Sequence, residues 1–110
     1  DVQAWAGRIS ALTVRLAEAH GQLLGFIGYT TQGHIDLLFT APDQARRGVA
    51  QQLYREAEAT LRASGVRRLT TDASLVATPF FLRQGFVIDR AETVVRGGVS
   101  LSRNHMQKML

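Results

Sequence analysis

The sequence predicts a mixed α/β fold on one mostly antiparallel central sheet, with a β-α-β crossover, in the order β-β-β-α-β-α-β-β. Three observations carry this. Apolar and polar residues alternate on either side of His20-Gly21-Gln22, as in a hairpin. Val49, Leu53, Ala57 and Leu61 recur at helical spacing ahead of Gly65. That helix lies between the strand-like runs Ile35 to Thr40 and Val66 to Ala73, and strand, helix, strand in one sheet makes a right-handed crossover with the two strands parallel.

Asp1 to Ile9 places Val2, Trp5 and Ile9 at helical spacing behind an Asp cap and reads as the end of a helix. Leu12, Val14 and Leu16 alternate with Thr13, Arg15 and Ala17 in the first strand. Leu23 to Tyr29, interrupted by Gly25 and Gly28, is the second. Gly33 turns the chain into a third strand, His34 to Thr40, which completes an antiparallel meander. Alternation puts His34, Asp36, Leu38 and Thr40 on one face and Ile35, Leu37 and Phe39 on the other. The long helix runs from Gly48 to Ser64, with Ala50 and Tyr54 packing beside its apolar stripe. Ser74 to Gln84 is predicted as a short helix with Pro79 in its first turns and Gly85 as its stop. Phe86 to Val95, the turn Arg96-Gly97-Gly98 and Val99 to Met109 form a closing hairpin.

Composition narrows the functional classes. At 110 residues the chain reads as one domain, and no stretch approaches the roughly 20 apolar residues that span a bilayer. No membrane association is expected. The absence of cysteine excludes disulfides, thiolate metal sites and a cysteine nucleophile, and it fits a cytoplasmic protein. His20, His34 and His105 share no metal-ligand spacing, so no metal is expected. Thirteen Lys and Arg against nine Asp and Glu give a net charge of +4, which favours anionic ligands. Nucleic acid is the less favoured anion. Trp5, Phe80 and Phe81 do not interleave with a basic strand face, as a base-stacking platform would.

The junction Pro42-Asp43-Gln44-Ala45-Arg46-Arg47-Gly48-Val49-Ala50 singles out a different anion. A strand that passes through a tight glycine turn into a helix leaves backbone N–H groups unpaired at the positive helix end. Arg46 and Arg47 flank those donors, an arrangement suited to a pyrophosphate.

With Ala77-Thr78-Pro79-Phe80-Phe81-Leu82-Arg83-Gln84-Gly85-Phe86 downstream, this order resembles the GCN5-related N-acetyltransferase (GNAT) superfamily. Its phosphate-binding segment, Q/R-x-x-G-x-G/A, maps onto Ala45, Arg46, Arg47, Gly48, Val49 and Ala50, with Ala45 departing from the pattern. A second signature, roughly N-x-x-A-x-x-x-Y-x-x-x-G-F, aligns Ser74 with its Asn, Ala77 with its Ala, Phe81 with its Tyr and Gly85-Phe86 with its Gly-Phe. The resemblance implies acetyl-coenzyme A as cosubstrate and an amine as acceptor, with direct attack of the amine on the thioester. It implies that Leu38, Phe39 and Thr40 meet the acetyl and pantetheine groups, that a backbone N–H there polarises the thioester carbonyl, and that Ser74 and Phe81 lie along the pantetheine arm. Phe81 cannot donate a proton as the family's Tyr does. Asp36, in an apolar strand where partial burial raises a carboxyl pKa, is the expected general base, and Asp72 is its rival.

The resemblance runs from Leu12 onward and implies that the family's first strand and helices are missing ahead of it, apart from a remnant at Asp1 to Ile9. The alternative function is a catalytically degenerate module of the same fold that binds coenzyme A or a protein. The acceptor is not legible in the sequence, and a homodimer stays open.

Overall fold

The computed structural model describes residues 12–44 and 48–110. The helix expected at Asp1 to Ile9, and the side chains of Ala45, Arg46 and Arg47, lie outside the described residues. The elements are β1 (Thr13–Ala19), β2 (Gln22–Tyr29), β3 (His34–Thr40), a 3-10 turn (Pro42–Gln44), α1 (Val49–Ala63), β4 (Arg68–Ser74), α2 (Thr78–Arg83), β5 (Val87–Arg96) and β6 (Val99–Met109). This is the expected order and fold class. The chain divides into two compact units, Asp1–Val66 and Arg67–Leu110.

In the first unit β1, β2 and β3 form an antiparallel meander. Ala19 faces Gln22, so His20 and Gly21 are a two-residue loop, and both take positive φ, 53° and 75°. A loop of that kind matches the twist of the strands it joins. Helix α1 buries Leu53, Tyr54, Ala57 and Leu61, the face its sequence predicts. It ends as Gly65 was expected to end it: Gly65 (φ 93°) donates its N–H to Arg62 and Val66 donates to Leu61, which satisfies two terminal carbonyls. Arg15 on β1 donates from Nε to the Tyr29 hydroxyl (3.2 Å) and from Nη2 to Thr60 Oγ1 of α1 (2.7 Å), tying the edge strand to the helix. The buried Tyr54 hydroxyl is satisfied by Glu58 one turn along (2.7 Å).

Gly25 sets how closely α1 sits on the meander. A Cβ at this position would lie 2.5 Å from the Phe39 carbonyl oxygen and 3.1 Å from Val49 Cγ1. Gly25→Ala is therefore expected to destabilise the fold by roughly 1–3 kcal/mol, because a backbone carbonyl cannot swing aside as a flexible side chain can. An unshifted urea midpoint for this variant would show that the sheet yields at little cost.

In the second unit all pairing is again antiparallel, in the order β4-β6-β5. Gly97 and Gly98, with φ 56° and 79°, make a second two-residue loop between Arg96 and Val99. Helix α2 starts at Thr78, later than the sequence predicted, because Ser74 continues β4 and its Oγ accepts the Ala77 N–H at 3.1 Å in a turn ahead of the helix. Thr78 Oγ1 donates to the Ser74 carbonyl (2.8 Å) and accepts from Nδ2 of the buried Asn104 (3.0 Å), so the helix start is pinned to β4 and β6. The rings of Phe80, Phe81 and Phe86 meet edge to face with centroids 5.2 Å apart at each step, and Phe81 and Phe86 are buried.

Candidate functional site

The first unit carries the phosphate-site candidate. β3 ends at Thr40, the 3-10 turn follows, and α1 begins after Gly48. Gly48 is exposed and left-handed (φ 80°), with nothing within 4 Å of where its Cβ would stand. Among the described residues no side chain caps this helix end, and its first turn carries no acidic residue. The leading N–H groups of a helix have no partner four residues back, so those of Val49, Ala50 and Gln51 are aimed outward along the axis, while Gln52 N–H already bonds to the Gly48 carbonyl (3.0 Å). An open groove runs along the helix from Gly48 past Gln51, Gln52, Arg55 and Glu56 to Ala59. Arg55, which sequence reasoning did not single out, lines that groove beside Glu56. Its only signal in the sequence is its spacing, two turns on from Gly48.

β3 corrects the predicted alternation. Tyr29 pairs with Ile35, but Gly28 pairs with Leu37, so Asp36 is an inserted residue at a bulge. Beyond it Leu38 pairs with Ile27 and Thr40 with Gly25, while Leu37 and Phe39 pair with Gly28 and Phe26. Ile35, Leu38 and Thr40 thus share the α1 face with Gly25, Ile27 and Tyr29, and Leu37 and Phe39 take the other. Ile35 changes sides relative to the simple reading because the bulge adds one residue to the pleat. Phe39 stacks on Phe26 across the strands, centroids 5.3 Å apart. Asp36 is half-buried in this setting.

The second unit holds Ser74, Phe81 and Asp72. Ser74 Oγ is engaged in the turn before α2, and Phe81 is packed in the core. Asp72 belongs to a cluster that sequence reasoning missed. Its carboxylate reaches His105 Nδ1, while His105 Nε2 meets Glu92 Oε2 at 2.8 Å. Arg103 grips the other oxygen of Glu92 at 2.7 Å, and Arg90 Nη2 stands 3.9 Å from Glu92 Oε2. His105 was expected to be a loop or strand-surface residue. Cross-strand register assembles the cluster instead, since Asp72 on β4 pairs with His105 on β6 and Glu92 on β5 pairs with Arg103 on β6. Among the described residues no group of His, Asp and Glu is arranged to hold a metal ion, and no helix is long and apolar enough to cross a membrane.

The hydrogen bond to Glu92, followed by that to Asp72, holds the His105 imidazole above its ordinary 6.5, and the bond to His105, then that to Arg103, holds Glu92 below 4.5. A raised imidazole contributes stability that is complete below 6.5 and lost as pH rises through the folded-state value. A depressed carboxylate contributes stability that is complete above 4.5 and lost as pH falls through its folded-state value. The stability difference between the native protein and His105→Gln should therefore be flat from pH 4.5 to 6.5 and shrink on both sides. Urea midpoints across pH measure it; a difference that stays constant up to alkaline pH contradicts an imidazolium at the centre of the cluster.

Comparison with known proteins agrees with the fold. The sequence profile of the acetyltransferase (GNAT) domain matches residues 1–110. The Escherichia coli K12 protein described as the uncharacterized N-acetyltransferase YafP is 32% identical over 107 residues, covering 97% of this chain and 67% of that protein. A crystal structure from Rhodopseudomonas palustris, titled a GCN5-related N-acetyltransferase, aminotransferase class II, superposes with a TM-score of 0.89 at 34% identity, covering all of this chain and 69% of that one. A Bacillus subtilis acetyltransferase in complex with CoA shares the fold at a TM-score of 0.80 and 13% identity, covering 98% of this chain and 83% of that one. With a match along its whole length and relatives above 30% identity, this chain belongs to the GNAT acetyltransferase family.

Proposed function

We propose that this chain is an N-acetyltransferase that moves the acetyl group of acetyl-coenzyme A to an amine by direct attack. The observation that carries this reading is the start of α1: a bare, left-handed Gly48 ahead of a helix end that no described side chain caps and that has no acidic residue in its first turn. That end fits a diphosphate, since its leading backbone donors have no partner four residues back, no Cβ at Gly48 blocks close approach and no carboxylate stands in the first turn of α1. Arg46 and Arg47 supply flanking cations by sequence, and Arg55 in the adjoining groove adds a third. Acetyl-coenzyme A supplies an already activated thioester. What remains for the protein is to position the acetyl group, with backbone at Leu38 to Thr40, and to take a proton from the amine. Asp36 is assigned that proton because the bulge sets its half-buried carboxylate apart from the regular pleat of β3.

Calorimetry with acetyl-coenzyme A, followed by a free-thiol assay over a panel of amines, tests the reading. Binding with thiol release that depends on an amine supports transfer. Failure to bind refutes it. Binding without release by any amine favours the degenerate module, a second reading that rests on Phe81, which stands at the family's Tyr position and is packed into the core.

A further inference from the structure

Strand β5 is the last in the β4-β6-β5 order, and among the described residues no strand pairs with its outer edge. An open edge offers a row of N–H and C=O groups to another strand, and proteins usually guard it with Lys, Pro or a bulge. Here the guard stands at one end only. The register shifts between Ile88 and Arg90, whereas Ala91 to Arg96 pairs regularly with β6 and contains neither Lys nor Pro. This stretch exposes Val95 (67%) and, on the neighbouring strand, Leu101 (55%). Among the described residues the Arg96 guanidinium has no hydrogen-bond or carboxylate partner.

We propose that a second copy of this chain adds to this edge, pairing β5 with β5 antiparallel about a two-fold axis at Val94. The pleat requires residues of the same face to stand opposite, so the axis falls on a residue and only a few registers are open. An axis at Ala91 runs into the register shift after one pair on each side. At Glu92 it sets the two carboxylates against each other, and at Thr93 it sets Arg90 against Arg96 twice. At Val95 it brings no opposite charges together and reaches the turn glycine two residues away. At Val94 the strand complements itself: valine meets valine on the axis, Thr93 meets Val95 twice, and Glu92 meets Arg96 twice.

The neighbouring strand extends this match. Val94 pairs with Leu101 and Glu92 with Arg103. An apolar row, Leu101 and Val94 from each copy, therefore crosses the axis. On either side of it Glu92, already bonded to Arg103 of its own chain at 2.7 Å, receives the otherwise unpartnered Arg96 of the second copy. This inference stands on β5 and β6 and is independent of the acetyl-transfer reading.

The register can be tested because the chain has no cysteine. Val94→Cys places two thiols opposite each other and is expected to give a disulfide-linked dimer under mild oxidation. Val95→Cys, on the other face and opposite Thr93, is expected to remain uncrosslinked. In sedimentation the unmodified protein should be a dimer, and Arg96→Glu, with an unchanged circular dichroism spectrum, should weaken association by at least about tenfold. A monomer for the unmodified protein overturns the proposal. So does crosslinking of Val95→Cys as fast as Val94→Cys, or native-like association of Arg96→Glu.

Discussion

Gly48→Glu is expected to weaken coenzyme A binding by at least about 30-fold while leaving the protein folded, the factor corresponding to the ~2 kcal/mol upper range for a charge at a helix end. Two effects act in the same direction. The side chain intrudes where backbone donors have to approach phosphate, and its carboxylate repels that phosphate at the positive end of α1. The substitution also forces a non-glycine residue to φ 80°, so Gly48→Asn is the control. Asn tolerates the left-handed conformation and carries no charge. Calorimetry on both variants separates the effects: binding by the Asn variant close to native and loss in the Glu variant supports a phosphate at this turn. A folded Glu variant with native affinity removes the turn from the site and, with it, the central support for the proposed activity.

Asp36→Asn is expected to lower the turnover number by roughly 10²-fold with acetyl-coenzyme A affinity nearly unchanged. Most amines are protonated near neutral pH and cannot attack until that proton leaves. Asn keeps the shape of the side chain and removes the base, so the acidic limb of the pH–rate profile should change with the rate. The position at a bulge sharpens the expectation, since an inserted residue is re-aimed relative to the strand around it. Should the Asn variant turn over at the native rate with an unaltered profile, Asp36 serves the strand alone. Asp72, held by His105 in the second unit, is then the next carboxylate to replace.

Much of this fold was legible because its signals are local. The stripe Val49, Leu53, Ala57 and Leu61 needs only the helical period, and Gly65 and Gly85 stop helices because a left-handed residue at the end of a helix favours glycine on steric grounds alone. The turns at His20-Gly21-Gln22 and Arg96-Gly97-Gly98 are read the same way, each one residue longer than the two-residue loop that forms. The glycine turn ahead of α1 and the family it suggests were legible for a related reason, since the backbone exposure that a phosphate requires is written as Gly48 itself.

What the sequence could not express are features fixed by which strand lies beside which. The bulge at Asp36 depends on β2 pairing Tyr29 with Ile35 and Gly28 with Leu37, and an alternation pattern read along one strand has no access to its neighbour. The late start of α2 came from hydrogen bonds of Ser74 and Asn104 that compete with one more helical turn. The Asp72–His105–Glu92 cluster joins residues on three strands, each unremarkable in its own segment. Composition, period and turn chemistry determined the elements, their order and the glycine turn ahead of α1, because each acts over a few residues. Register, and with it the setting of Asp36 and His105, was decided only when the strands paired, because a cross-strand neighbour exists only in the folded chain.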